Sequence, residues 1–362
     1  MSPDRSSGVR ILFTGQHWPG ANSLYIARAF ERCGAVVRFM NETGLMPAWQ
    51  TKRGRIARRL LAPLIEAEWN RQLLGLVETF QPDLVYITNG HLCWSSTLNV
   101  IRAKKIPVMC FYHDVKWKDR EGSRFSIVID KFDLVATTRR WQEAEFKAAG
   151  ARQVKVVRFG YEPSVHRPLQ LDQKAMERYG ADVTFIGTME AHRRMELEQL
   201  LHGTFPHRFR LWGGLWGGSP VVAKYWQGRD VNEQEIPVIY AASKVALHWL
   251  GWEPHGSDAE LKKGDQHNSR TFQIAACGGA MMLAQRTEEH LQFFEEDREA
   301  VFFSDVAELR EKLDFWLSPS HDAERKRVSR AARERCLKED YSWTPVARFF
   351  CGNLGLLSFR QY

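Results

Sequence analysis

The run N-S-R-T-F-Q-I-A-A-C-G-G, residues 268–279, sets the reading of the whole chain. An amide (Asn268), a guanidinium (Arg270) and a hydroxyl (Thr271) stand ahead of a short apolar segment that stops at Gly278 and Gly279. Asn is a favoured helix N-cap and glycine a favoured helix terminator. The apolar residues A-M-M-L, 280–283, follow at once and read as a buried strand. A helix that opens on polar groups and closes on glycines beside such a strand suits an α/β ligand site, because its N-terminal amides face an anion.

The same alternation extends in both directions. Toward the N-terminus, apolar runs at 9–14, 36–39, 83–88, 108–112, 133–138 and 154–157 read as strands, with helical spacing between several of them. Residues 161–171, with Pro163 and Pro168, interrupt the rhythm and read as a linker. Strands at 182–187, 208–213, 245–249, 279–284 and 301–303 then form a second series, followed by helical segments at 306–317 and 322–338. Continuous apolar strands alternating with helices predict parallel, doubly wound sheets. The expected fold class is therefore α/β, with two tandem Rossmann-like domains and a cleft between them. Residues 1–160 form the first domain, 161–171 the linker, 172–340 the second domain, and 341–362 a tail that packs back on the first.

Composition narrows the function classes. The chain has 362 residues, 44% of them hydrophobic, enough for two cores and too apolar for a disordered protein. A net charge of +8 favours an anionic partner. No N-terminal segment has signal-peptide character and no run reaches membrane-spanning length. The six cysteines are scattered and none are at CxxC spacing, which predicts buried, reduced thiols in the cytoplasm rather than a zinc site or disulfides. No helix-turn-helix, zinc-finger or RNA-binding aromatic pair is present, so no nucleic-acid partner is expected.

Residues 268–279 resemble the C-terminal signature of the glycosyltransferase group-one superfamily, and within it the branch named for the spore maturation protein CgeB. Members of that branch carry N-x-R-T-F-E-x-x-A-C-G-G, then a strand and an acidic helix. This chain supplies Asn268, Arg270, Thr271, Phe272, Ala276, Cys277, Gly278 and Gly279. Residues 242–247, 301–309, 159–163 with Arg167 and Pro168, and 182–188 also resemble the family, so the likeness spans about residues 155–340. It implies a GT-B fold, with an N-terminal acceptor domain and a C-terminal donor domain. It also implies transfer from a nucleotide-diphosphate sugar to a glycan, lipid-linked, protein or small-molecule acceptor, with no metal and no other cofactor. Relatives that retain anomeric configuration carry two glutamates separated by seven residues; Asp265 and Gln273 occupy those places here. An amide keeps a hydrogen-bond acceptor for a ribose hydroxyl but loses the carboxylate charge. A non-catalytic sugar- or nucleotide-binding protein and a nucleotide-sugar 2-epimerase are the alternatives on the same fold.

The resemblance places the donor site at Gly187, Thr188, Arg193, Arg194, Asp265, Asn268, Arg270, Thr271, Gln273 and Gly278. Arg270 and the helix start are the expected diphosphate contacts, because a leaving diphosphate needs positive charge and N–H donors where negative charge develops. In the first domain, Gly15, Gln16 and His91 are the expected acceptor-binding residues, and His17, His113 and Asp114 the candidates for taking the acceptor proton. The tryptophans of L-W-G-G-L-W-G-G, residues 211–218, either stack on a ligand ring or plug the core. Residues 251–266, with Trp252 and His255, read as a loop over the cleft. The basic stretch 52–61 reads as a contact either with an anionic membrane, as a peripheral attachment, or with an acidic acceptor.

Overall fold

A computed structural model describes residues 8–18, 20–47, 51–115, 117, 123–251 and 264–356. Trp252 and His255 of the 251–266 loop lie outside the described residues. The chain divides into two units, residues 1–158 with 343–362, and residues 159–342.

In the first unit, six strands form one parallel sheet: β1 (Arg10–Gly15), β2 (Val36–Asn41), β3 (Leu84–Thr88), β4 (Val108–Tyr112), β5 (Leu134–Thr137) and β6 (Val154–Val156). Their spatial order is β2-β1-β3-β4-β5-β6. The central strands are largely apolar, and every residue of β3 and β4 is buried, because helices cover both faces. Those helices are α1 (Asn22–Arg32), α2 (Lys52–Phe80), α3 (Ser95–Ala103), the short α4 (Phe125–Val128) and α5 (Arg140–Ala148). The strand order reverses between β1 and β3, so a crevice opens where the loops after these two strands diverge.

The C-terminal tail belongs to this unit. Its helix α13 (Thr344–Asn353) buries Val346, Ala347 and Phe350. The Phe350 ring lies 6.5, 6.1 and 6.0 Å from those of Phe30, Tyr86 and Phe111. Full burial of one such phenyl ring contributes about 2–3 kcal/mol.

The second unit holds β7 (Ala181–Ile186), β8 (Phe209–Trp212), β9 (Ser243–His248), β10 (Met281–Gln285) and β11 (Val301–Phe303), all parallel, in the order β11-β10-β9-β7-β8. Helices α6 (Gln173–Tyr179), α7 (Ala191–Leu201), α8 (Glu235–Ala241), α9 (Ser269–Cys277), α10 (Glu288–Phe293), α11 (Val306–Leu317) and α12 (Asp322–Lys338) connect and cover it. Here the order reverses between β7 and β9. The Pro-containing linker residues are built into this unit. Tyr161 N–H donates to Tyr341 O at 3.2 Å, and Phe159 N–H donates to His267 Nε2 at 3.1 Å.

Gly278 and Gly279 have local steric reasons. Gly278 caps α9 at φ +62°, and a Cβ there would lie 2.9 Å from Arg333 Cδ. A Cβ on Gly279 would lie 2.6 Å from Ala241 Cα, so this glycine lets α8 approach the start of β10.

Candidate functional site

The carboxyl edge of the second sheet gathers most of the residues expected to face a donor. β7 ends at Ile186 and the chain turns through Gly187 and Thr188 into α7. This loop lies against the one after β8. A Cβ on Gly213 would stand 2.0 Å from Gly187 O, and Gly213 has φ +121°, so only glycine fits. The tryptophans of 211–218 serve this packing. Trp216 is buried and donates Nε1–H to Gly187 O at 2.8 Å, while buried Trp212 lies 5.1 Å beneath Arg229.

Arg193 joins the two loops on either side of the strand-order reversal. It is only 7% exposed. Its guanidinium donates to Thr188 O at 3.0 Å, Trp249 O at 3.0 Å and Leu250 O at 3.1 Å. A buried cation needs such partners, and here carbonyls of both loops supply them. Arg194, one residue on, is half-exposed and stands 3.9 Å from Glu198 on the surface of α7.

Two carboxyl groups flank Arg193. Glu190 Oε1 lies 3.5 Å from its Nη1. A Cβ on Gly251 would stand 3.1 Å from Glu190 Oε1, 3.3 Å from Arg193 Nη2 and 3.5 Å from Asp265 Oδ2, so the three groups meet beside that glycine. Burial pushes Glu190 up to about 7; Arg193 opposes the shift and Asp265 adds to it.

α9 supplies the other wall. Asn268 caps it by accepting the Arg270 N–H on Oδ1 at 2.8 Å, and Thr271 returns the bond by accepting the Asn268 N–H at 3.3 Å. Thr271 is fully buried at a polar node, with His248 Nε2 at 2.9 Å and His290 Nε2 at 3.0 Å from its Oγ1. His290 Nδ1–H donates to Gln285 O at 2.7 Å, so its Nε2 accepts the Thr271 hydroxyl proton, and the Thr271 oxygen accepts His248 Nε2–H. Burial holds His248 well below the usual imidazole range and His290 at about 4, so both rings are neutral at pH 7. The hydroxyl therefore ties α9 to the end of β9 and to α10.

Arg270 differs from Arg193. Among the described residues its hydrogen-bond partner is the amide of buried Gln273, with Nη1 to Oε1 at 2.5 Å. Burial lowers the titration of Arg193, His166 and His248, and the charge of Arg270 adds to each shift. A glutamate at 273 would pair with it, whereas the glutamine leaves the positive charge uncompensated. Gly278 is not brought to this edge. It lies at the far end of α9, which at nine residues is about 13 Å long.

The corresponding edge of the first sheet holds a separate cluster. Gly15 ends β1 where a Cβ would stand 2.7 Å from Ser23 Cβ and 2.9 Å from Thr88 Oγ1, so α1 packs close against the strand end. Gln16 Oε1 accepts Trp18 Nε1–H at 3.0 Å. His17 is exposed; its N–H donates to Thr43 Oγ1 at 3.0 Å and its ring lies 5.2 Å from Phe39. After β3, Asn89 at φ +58° turns the chain. Asn89 accepts the His113 N–H at 3.0 Å and offers Nδ2 to Asp114 Oδ2 at 3.3 Å.

The Asp114 carboxylate meets the imidazole of His91, with Nε2 to Oδ2 at 3.4 Å and Nδ1 to Ser123 Oγ at 2.8 Å. His113 is held through its backbone, its carbonyl accepting from Arg139 Nη1 at 2.8 Å. Gln142, on α5, also fixes this strand end by donating to Asp114 O at 2.9 Å. Sequence reasoning passed over Asn89 as a site residue. Its signal was the Asn-Gly pair after a buried strand, a combination that tolerates left-handed backbone. Glu42 was also passed over. It donates its N–H to Gly15 O at 2.9 Å, accepts Trp69 Nε1–H at 3.1 Å, and is pushed up to about 7 by burial.

Among the described residues, no three His, Cys, Asp or Glu side chains are grouped to hold a metal, and no helix is long and apolar enough to cross a membrane.

A family described as glycosyl transferase-like matches residues 191–352, which include α7, α9 and the residues around Arg193 and Arg270. Comparison with curated proteins finds no match. Among solved structures, sucrose-phosphate synthase from Thermosynechococcus elongatus is similar at a TM-score of 0.63 and 14% identity, over 96% of this chain and 98% of that one. HepE from Anabaena, in complex with UDP-glucose, is similar at a TM-score of 0.60 and 14% identity, over 96% of this chain and 100% of that one. A glycosyltransferase from Rickettsia africae has a TM-score of 0.62 and 11% identity, over 97% of this chain and 99% of that one. With two parallel-sheet Rossmann-like units matched over nearly their whole length, the chain has a GT-B architecture.

Proposed function

We propose that this protein is a glycosyltransferase that moves a sugar from a nucleotide-diphosphate donor to an acceptor hydroxyl. The observation that carries this reading is Arg270. It stands in the first turn of α9 with its charge balanced by no carboxylate among the described residues, at a sheet edge where open α/β folds bind ligands. In this reading Arg270 and the N-terminal amides of α9 receive the diphosphate, with no metal required. Gly187 and Thr188 form the loop the donor approaches, Arg193 holds that loop, and Asp265 and Gln273 lie beside the sugar and ribose. The C1–O bond to the diphosphate breaks with its electron pair going to the phosphate oxygen, and the acceptor oxygen bonds to C1. The acceptor proton passes to Asp114, oriented by His91 and Asn89.

The match to the glycosyl transferase-like family over 191–352 and a structural neighbour holding UDP-glucose support this reading. The resemblance of residues 268–279 supports the CgeB-like branch. Six free cysteines, five of them buried, support a cytoplasmic setting. Residues 52–61 supply a peripheral membrane contact in the same reading.

The test is incubation with a panel of nucleotide sugars, following release of the nucleoside diphosphate with and without acceptors, for the native chain and Arg270→Ala. Donor binding weakened by ~1–3 kcal/mol in the variant is the expected result, the scale of a lost charged hydrogen bond. Failure of the native chain to bind any nucleotide sugar would refute the proposal. Binding without turnover would make the chain a sugar-nucleotide binding protein.

A further inference from the structure

Helix α2 has two unlike halves. From Glu66 onward it buries Glu66, Trp69, Asn70, Leu73 and Val77 against the first sheet. Residues 52–65 include none that is buried. Thr51 caps this first half, accepting the Gly54 N–H at 2.9 Å, and the packed second half holds it helical.

In the first half the outward side is aliphatic. On the line that continues into the buried Trp69 and Leu73 stand Arg58, Ala62 and Ile65, with Arg58 Nη2 at 2.8 Å from Met46 Sδ. On the outward side Ile56, Leu60 and Leu64 recur at every fourth residue, with Leu61 beside them. Their exposures are 52%, 74%, 68% and 41%. A helix facing water carries polar residues there. Lys52, Arg53, Arg55, Arg58 and Arg59 fall within the same segment, which has no Asp or Glu before Glu66.

We propose that the outward face of the first half of α2 docks on an anionic lipid surface. Ile56, Leu60, Leu61 and Leu64 enter the boundary between headgroups and acyl chains, while Lys52, Arg53 and Arg59, beside them, meet the headgroups. The charge selects this occupant. A second copy would bring two cationic faces together, and a nucleic acid would engage the cations but leave the aliphatic stripe in water. Docking brings a lipid-linked acceptor to the first unit, a step that rests on the transferase reading.

The test is co-sedimentation of the full chain with phosphatidylcholine vesicles and with vesicles that also contain phosphatidylglycerol. Binding only to the anionic vesicles is expected, weakened by added salt and reduced at least tenfold in the double variant Leu60→Glu, Leu64→Glu. Both side chains are exposed, so the fold is not at risk, and nucleotide-sugar binding should be unchanged. No binding to the anionic vesicles, or equal binding by the double variant, would overturn the proposal. So would a light-scattering mass of two chains that the double variant halves, or binding to duplex DNA that exceeds vesicle binding. Vesicle binding is read without donor. A chain that docks but binds no nucleotide sugar therefore loses only the transferase reading, and one that binds donor but not vesicles loses only the docking.

Discussion

Replacing Arg193 by Met should cost fold stability before it costs donor affinity. The guanidinium donates to three carbonyls at 3.0–3.1 Å, from the loops after β7 and β9, in a site only 7% exposed. Methionine fills much of the volume but donates to none of them. A hydrogen bond to a charged group contributes about 1.5–3 kcal/mol. The three bonds share one donor group and do not add in full, so the expected loss is about 3–5 kcal/mol. Arg193→Lys keeps the charge but presents a compact ammonium in place of the planar fork, and should lose about half as much. Equilibrium urea unfolding measures the global change, and hydrogen exchange of peptides spanning 187–189 and 249–251 measures the local one. Both should shift, with exchange faster in those two loops. A drop in donor affinity with an unchanged urea midpoint and unchanged exchange would refute the argument. Arg193 would then be a ligand contact and not the tie between the loops.

Thr271→Val removes the hydroxyl shared by His248, His290 and the Asn268 N–H, and should lower stability by about 2–4 kcal/mol in thermal unfolding, with Thr271→Ser recovering most of it. A larger loss in Thr271→Ser than in Thr271→Val would point to the methyl group instead. Gln273→Glu sets a carboxylate against Arg270, about 6 Å from a phosphate on its far side; at an effective dielectric near 40 the repulsion is ~1.4 kcal/mol, or about tenfold weaker donor binding by calorimetry. Tighter binding would show that residue 273 contacts the ribose and does not set the charge of Arg270.

Glu190 sits at about 7 in the fold against its ordinary 4.5. Its stabilising contribution is therefore complete below pH 4.5 and is lost as pH rises through 7. Glu190→Gln should flatten the fall in melting temperature between pH 5 and 8, and Glu42, also raised to about 7, should account for part of the slope that persists. An unchanged slope would show that Glu190 does not titrate in this window.

The central strands were legible because they are short apolar runs buried on both faces, whereas the edge strand β2 is largely exposed. β3 and β4 are entirely buried, and their sequences L-V-Y-I-T and V-M-C-F-Y show it. The capping of α9 was legible for the same local reason, since Asn268 and Thr271 act within one helical turn. The extent of α2 was not. Its first half was visible as a basic helix, but the inward face belongs to contacts with Trp69 and Leu73 farther along, so its outward aliphatic stripe emerged only when the core was assembled.

Local sequence thus determined the alternation of elements, the two series of strands and the polar start of α9, because propensity, periodicity and capping act over a few residues. Tertiary structure decided which loops meet. Strand order places the turn after β7 beside the turn after β9, and there Arg193 becomes a buried tie between carbonyls some sixty residues apart. It also brought His91 against Asp114, from the loop after β3 to the end of β4. Arg193 and Arg270 look equivalent as letters. Their difference lies in burial and partners, three carbonyls around one and a neutral amide beside the other, and those are properties of the folded chain.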